Sequence, residues 1–281
     1  MKPGAFDYVR IDTAEEAWQL LAQYGEDARI LAGGQTLMAM LNMRLAQPKV
    51  LLDVSRTAPL DYVRVQDGKL AIGAAATQRS VEWRASLASE VPLLKLAIPH
   101  ISHFQVRSRG TVCGSIAHAD PSAELPLCLA ALDGEVVLRS KKGRRVVKGE
   151  QFFQGMLLTA RRPDELIEEV RYPLAAADAH YAFDEFSMRH GDFAIVAVAC
   201  VVTPKEIRIA VGGVADRPRV GRWPRLEGTA LEGALNDFAW DLDAQDDLHA
   251  SAKYRRHLVR RLGRRVIEHA GREPASRGAR S

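Results

Sequence analysis

The run Ile30-Leu31-Ala32-Gly33-Gly34-Gln35-Thr36-Leu37 passes from apolar residues through two glycines into helix-forming sequence. Ile30 to Ala32 reads as a short strand, Leu37 to Leu45 as a helix and Val50 to Val54 as a second strand, which makes a strand, glycine turn, helix, strand unit. Without a Cβ, adjacent glycines let backbone N–H groups come close to a charged ligand, and the helix start that follows adds about half an elementary positive charge. An anion suits such a turn, although an ordinary tight turn is spelled the same way. It is not a Walker loop, because no Gly-Lys-Ser/Thr follows, and no Gly-x-Gly-x-x-Gly occurs in the chain.

Upstream, Thr13-Ala14-Glu15-Glu16 places a carboxylate three residues after a candidate N-cap and predicts an amphipathic helix to about Gly25, carrying Trp18 and Leu21. Downstream, Val63 and Val65, an Asp67-Gly68 turn and Leu70 to Ile72 predict a hairpin. Helical sequence from Ser80 to His103 is interrupted at Pro92 and Pro99, and a further helix is expected from Ser122 to Leu132. Strands are expected at Val136 to Leu138, Arg145 to Val147 and Leu166 to Tyr172. The small-residue stretch Leu174 to Ala179 is the candidate boundary. Beyond it, Tyr181 to Ser187, Ile195 to Val202 and Glu206 to Val211 read as strands, the middle one apolar throughout and therefore buried. A sheet closed by a terminal helix makes this last part an α+β unit.

The 281 residues carry 39 Lys plus Arg against 35 Asp plus Glu and are 47% hydrophobic, which excludes a disordered chain. At roughly 100 to 200 residues per domain the length accommodates two domains. From position 250 to the end, ten Lys or Arg face two Glu, so the basic charge is concentrated in one helix and its tail. Leu258, Val259, Leu262, Val266 and Ile267 recur there at helical spacing, which predicts an amphipathic helix with its arginines on the solvated side or at a subunit contact. No nucleic-acid reader motif accompanies the charge, so nucleic acid is not an expected partner. Cys113, Cys128 and Cys200 are too far apart for the short-spaced pairs of zinc or iron–sulfur motifs, and any iron–sulfur centre belongs to another chain. An odd cysteine count suits a reducing compartment, Met1 to Arg10 has no apolar signal core, and no uncharged stretch reaches the roughly 18 residues of a membrane span. A cytoplasmic location is expected.

A second segment, Arg109-Gly110-Thr111-Val112-Cys113-Gly114-Ser115-Ile116-Ala117-His118-Ala119-Asp120-Pro121, gathers glycine, hydroxyl and acidic groups into one loop ahead of a helix. Two such loops can hold a dinucleotide between them. Together with Ala32 to Leu37 and Arg189-His190-Gly191-Asp192-Phe193-Ala194, this segment resembles the FAD-binding medium subunit of molybdenum hydroxylases, the family of carbon monoxide dehydrogenase, quinoline oxidoreductase and nicotine dehydrogenase. The FAD domain of xanthine dehydrogenase is similar. The resemblance covers essentially the whole chain.

The resemblance implies an α+β fold with a two-part FAD-binding domain of the p-cresol methylhydroxylase and vanillyl-alcohol oxidase type at 1–176, divided near 56, then a small α+β domain with an antiparallel sheet and helices at 177–281. It implies that Leu31, Ala32, Gly33, Gly34, Gln35, Thr36 and Leu37 bind the FAD pyrophosphate through backbone amides. Thr111, Val112, Cys113, Gly114 and Ser115 would grip it from the opposite side, with Ala117 and His118 near the ribityl chain. Glu124 matches an acidic position that bonds flavin-side hydroxyls, and Ile101 and Ile167 match apolar positions near the ring and nucleotide. Gly191, Asp192 and Phe193 match a mobile loop beside the isoalloxazine, where Phe193 replaces a tyrosine of some relatives and suits stacking. Cys113 stands where many relatives have glycine, and its thiol is strained if the position requires φ > 0.

By the same resemblance this chain passes electrons from two [2Fe-2S] clusters of a small partner subunit through FAD to an external acceptor. A large partner holds molybdopterin and hydroxylates the substrate, in an (αβγ)2 assembly. No acid, base, nucleophile or metal ligand is expected in the chain. The alternative is a self-contained FAD-dependent oxidase, and a third reading is a binding module using the basic tail. His100 and His103, three apart, have no companion ligands for a metal, and His118 with Asp120 reads as loop structure rather than a catalytic dyad.

Overall fold

The computed structural model describes residues 2–271. The N-terminal part is a parallel sheet of β1 (Asp7–Arg10), β2 (Ala28–Leu31) and β3 (Val50–Asp53) in the order β1-β3-β2. Parallel neighbours need crossovers, and α1 (Ala14–Tyr24) and α2 (Leu37–Asn42) supply them. Thr13 caps α1, its Oγ1 accepting the Glu16 N–H at 3.2 Å, while Glu16 Oε2 reaches back to the Asp12 N–H at 2.9 Å. Ala17 and Leu21 of α1 pack on Ile11, Val50 and Leu52 to form this part's core.

An antiparallel sheet follows, built from β4 (Val63–Gln66), β5 (Lys69–Gly73), β6 (Glu135–Ser140), β7 (Gly143–Lys148) and β10 (Leu166–Pro173) in the order β4-β5-β10-β6-β7. The β4–β5 hairpin turns at Asp67 and Gly68, φ 50° and 70°, the positive pair that a type I′ turn demands. Between β5 and β6 run α3 (Gln78–Glu82), α4 (Leu87–Glu90), α5 (Pro92–Ala97), α6 (Phe104–Arg107), α7 (Val112–His118) and α8 (Glu124–Ala131). After β7, α9 (Gly149–Phe152) and a small hairpin of β8 (Phe153–Gly155) and β9 (Leu158–Thr159) lead into β10.

Past 174–179 lies a four-stranded antiparallel meander, β11 (His180–Phe186), β12 (Val196–Val202), β13 (Glu206–Gly212) and β14 (Arg219–Pro224), covered by α10 (Gly228–Asp241) and α11 (Ala252–Gly271). Every residue of β12 is buried, because both faces are covered. Val196, Val198, Cys200 and Val202 meet Val259, Leu262 and Val266 of α11. The opposite face carries the small side chains Ala197 and Ala199, which let α8 lie close; all eight residues of α8 are buried.

The segment from Ser80 to His103 is helical and broken at Pro92 and Pro99, as expected; Pro92 begins α5 at its first turn, where a missing N–H costs nothing. Two expectations need correction. Residues 109–123 are not one loop, since 112–118 is helical. The basic helix does not send all its arginines outward. Arg255 is buried and donates to the carbonyls of Ile195 (2.8 Å) and Gly213 and to Asp247 Oδ2 (2.5 Å). Arg264 pairs with Glu232 and Glu268, and Arg265 pairs with Asp184. The arginines expected at 272, 277 and 280 lie outside the described residues.

Candidate functional site

The turn between β2 and α2 lines a cleft of about 560 Å³ with Leu31, Ala32, Gly33, Gly34, Gln35 and Met38; its other wall is Asp53 and Ser55 from the end of β3, and Arg109. Gly34 has φ +70°, a conformation that favours glycine. At Gly33 the reason is proximity: a Cβ there would fall 2.6 Å from Gly110 Cα and against the Arg109 carbonyl. The two glycine segments, one after β2 and the other between α6 and α7, therefore touch backbone to backbone.

Among the described residues, the backbone N–H groups of Gly33, Gly34, Gln35, Thr36 and Leu37 donate to no group of the chain, while Met38 and Met40 bond back to the Gly34 and Thr36 carbonyls at 3.1 Å. Thr36 is itself helical and makes no capping bond, so its hydroxyl is also unused. A run of unpaired donors beside an exposed guanidinium is a site for an anion with several acceptor oxygens. Across the cleft, Asp53 is fixed as a carboxylate. Burial, which alone would raise its pKa, is outweighed by the Tyr8 hydroxyl at 2.5 Å and the Ser55 N–H at 2.8 Å, and the net direction is down. It offers an acceptor for hydroxyls.

The second segment lies behind this contact and spends most of its donors internally. Thr111 caps α7, its Oγ1 accepting the Gly114 N–H at 3.0 Å; the Ser115 N–H bonds the Thr111 carbonyl and the Val112 N–H bonds Ala76. The Cys113 N–H and the Ser115 hydroxyl are left over. Cys113 has no positive φ. It sits in a helix with its Sγ 3.4 Å from the Ile72 carbonyl, and burial pushes its thiol far up, so the strain considered for it does not arise and the thiol is inert.

The remaining nominated residues are not in the cleft. Ala117 and His118 end α7, and Glu124 opens α8. Ile167 is buried on β10, paired with Leu138, while Ile101 is half-buried beside Ser102. Gly191 presses on Ser102, where a Cβ would meet the Ser102 carbonyl at 3.0 Å, and this contact brings Ile101 near Asp192 and Phe193. Asp192 pairs with Arg189 at 3.0 Å, and Phe193 is 64% exposed. Sequence reading passed over Arg109, Asp53, Ser55 and Met38 as cleft residues. Asp53 carried a usable signal, an acid at the end of the strand that neighbours the glycine turn.

The cleft fits a dinucleotide's pyrophosphate by its donor set and by a backbone approach that only glycine permits. The comparisons agree in kind. Residues 4–175 match the model of the FAD binding domain in molybdopterin dehydrogenase, and residues 181–270 match that of the CO dehydrogenase flavoprotein C-terminal domain. The 6-hydroxypseudooxynicotine dehydrogenase complex subunit alpha of Paenarthrobacter nicotinovorans is 37% identical, over 96% of each chain. Among solved structures, quinoline 2-oxidoreductase from Pseudomonas putida 86 contains a chain that superposes with a TM-score of 0.89 at 32% identity, covering 96% of this chain and 98% of that one. Carbon monoxide dehydrogenase from Hydrogenophaga pseudoflava, solved without the Mo-pyranopterin moiety of its molybdenum cofactor, gives 0.90 at 30% identity over 96% and 98%.

Proposed function

The chain belongs to the family of FAD-binding medium subunits of the molybdenum hydroxylases, and from that premise we propose that it works as the electron-transfer subunit of such an enzyme, in the cytoplasm. A small partner with two [2Fe-2S] clusters delivers electrons, a large molybdopterin partner hydroxylates the substrate, and the three form an (αβγ)2 assembly. The chemistry that FAD supplies when bound is the exchange of electrons between these one-electron carriers and an external acceptor.

The residues of this chain bind and orient. The N–H groups of Gly33 to Leu37 hold the pyrophosphate and Arg109 balances its charge, with Leu31 and Ala32 as the cleft wall. Thr111 to Ser115 brace the turn from behind, and the free Cys113 N–H and Ser115 hydroxyl are their remaining contacts to the tail. Asp53 accepts from sugar hydroxyls. Ala117 and His118 lie toward the ribityl chain, Glu124 bonds flavin-side hydroxyls, Ile101, Asp192 and Phe193 flank the ring end, and Ile167 supports it from the sheet. We assign 1–176 to flavin binding, in parts divided near 56, and 177–281 to a separate α+β domain. The observation that carries the reading is the contact of Gly33 on Gly110 beside five unpaired amides.

No helix among the described residues is long and apolar enough to cross a membrane. Both faces of the C-terminal sheet are spent on packing, against α5 and α8 on one side and α10 and α11 on the other, which supports an electron carrier over a self-contained oxidase with a substrate chamber of its own. The test is the visible spectrum of the purified chain and the identity of the extracted cofactor. One FAD per chain is expected, reduced by substrate only when the partner subunits are present. A chain from flavin-replete cells that holds no FAD, or one whose flavin is reduced by substrate alone, overturns the reading.

A further inference from the structure

One wall of the pyrophosphate cleft carries a carboxylate that is held from outside the cleft. Asp53, the last residue of β3, lines it together with Ser55. In the parallel register Asp53 stands opposite Leu31, two residues before the Gly33 turn. Ligands of parallel sheets lie beyond the carboxyl ends of the strands, and an acid ending the strand next to the phosphate turn is placed to meet a sugar hydroxyl. Tyr8, on β1, stands opposite Leu51 and so shares a face with Asp53, two residues further along β3. Its hydroxyl crosses that face and donates to Asp53 Oδ2 at 2.5 Å, although the residue is 55% exposed and adds little to the core.

A carboxylate offers about four acceptor positions, two on each oxygen. Tyr8 takes one on Oδ2, and the Ser55 N–H, at 2.8 Å, takes one on Oδ1. Among the described residues Asp53 accepts from these two donors and from no lysine or arginine; Arg10, across from it on β1, pairs with Asp12 at 3.9 Å. Each oxygen therefore keeps a free acceptor position, and two adjacent acceptors match the two adjacent hydroxyls of a ribose. The residues assigned above to the ring end of the flavin, Ile101, Asp192 and Phe193, lie outside this cleft. The sugar that meets Asp53 is then the one on the other side of the pyrophosphate.

We propose that Asp53 takes the ribose of the cofactor's adenosine half, accepting its 2′ and 3′ hydroxyls on the two carboxylate oxygens, and that Tyr8 is the positioning residue that aims it. This deepens the flavin-carrying reading and rests on it. The consequence is selection for a nucleotide whose ribose hydroxyls are both free. A ribose without them leaves the desolvated carboxylate short of donors, and a phosphate on either hydroxyl sets like charges against each other. Tyr8 acts only through Asp53. Without its hydroxyl the carboxylate keeps its charge but loses one of the two bonds that fix its plane, so the loss falls on ligands that carry the diol.

Calorimetric titration of the full chain, stripped of flavin, with ADP and with 2′,3′-dideoxy-ADP tests this, each ligand also being competed against FAD. Wild type should bind ADP about tenfold more tightly than the dideoxy compound, and ADP should displace FAD. Asp53→Asn should bring the two affinities together. Tyr8→Phe should weaken ADP about threefold and leave dideoxy-ADP unchanged, whereas a merely structural tyrosine would weaken both alike. Wild type that binds the two equally, a Tyr8→Phe protein that loses both to the same degree, or ADP that does not displace FAD from a chain that binds it overturns the proposal. If Asp53→Asn does not fold, Tyr8→Phe, at an exposed position, decides alone. A chain that binds no FAD defeats the earlier reading instead.

Discussion

Gly33 and Gly110 meet backbone to backbone, so that a single methyl group on Gly33 would overlap the Arg109 carbonyl and come within 2.6 Å of Gly110 Cα. Gly33→Ala forces the two segments apart. Such overpacking costs about 1–3 kcal/mol. A lower melting temperature and substoichiometric FAD are expected, while Gly233→Ala, an open helical position, leaves both unchanged. Full flavin occupancy in Gly33→Ala would remove this contact from the site.

Arg109 is exposed and lines the cleft, and no carboxylate pairs with it among the described residues, so its charge is available to a ligand. Arg109→Ala should weaken FAD binding about tenfold, the ~1.4 kcal/mol order of one partly screened charge-assisted contact. The wild-type affinity should fall with salt more steeply than the variant's, as measured by fluorescence titration of the apoprotein.

Glu124 makes the empty chain pH-sensitive. Its carboxyl ordinarily titrates at 4.5 and burial lifts it to about 8 in the fold. Below 4.5 both folded and unfolded forms are protonated and nothing is lost. Between 4.5 and 8 only the unfolded chain ionises, so stability declines as pH rises. His100, raised by its bond to Glu185, acts in the same direction, its contribution fading as pH climbs through its folded pKa. Melting temperatures of the apoprotein should drop from pH 5 to about 8, and Glu124→Gln should flatten that slope. A wild-type profile that rises over this interval would contradict the assignment.

Arg255 joins α11 to the turn after β13 and to the start of β12. Truncation to Ala leaves the Ile195 and Gly213 carbonyls and Asp247 Oδ2 without their guanidinium donor, and should cost about 3–5 kcal/mol in urea unfolding. Lys, with no planar fork, should recover only part of it. Asp247 is held at about 2: burial, which opposes this, is outweighed by the Ala250 N–H, Arg255 and the His249 N–H. Its share of the stability is present above about 3.8 and is lost as pH falls through 2.

Much of the architecture was legible because its signals are local. The Thr13 cap, the Asp67-Gly68 turn and the apolar run of β12 each announce themselves within a few residues, and the three glycine-bearing motifs carry the family. What went unread depends on distant partners. The four residues of β1, charged at both ends, become a strand only by lying beside β3. Two arginines, a glycine and a proline disguise β14, which its pairing with β13 nevertheless holds extended. Glycines at 228 and 233 hid α10, although Leu231, Leu235 and Ala239 repeat at four-residue intervals and form its buried face. At the site, the glycine turn was visible. The consumption of the second segment's amides by its own helix cap was not, nor was the meeting of His100 with Glu185 across eighty-odd residues of chain.

The seam between the parallel and antiparallel sheets runs past the Gly33 turn and Arg109, so a tail lying along that cleft would staple the two parts of the N-terminal half. Loading then belongs to maturation rather than to turnover: anything that binds only the closed form adds its own free energy to closure. The empty chain should breathe along this seam, offering the linker at 54–62 to proteases, and a cell short of riboflavin would see it first as a shortage of intact subunit.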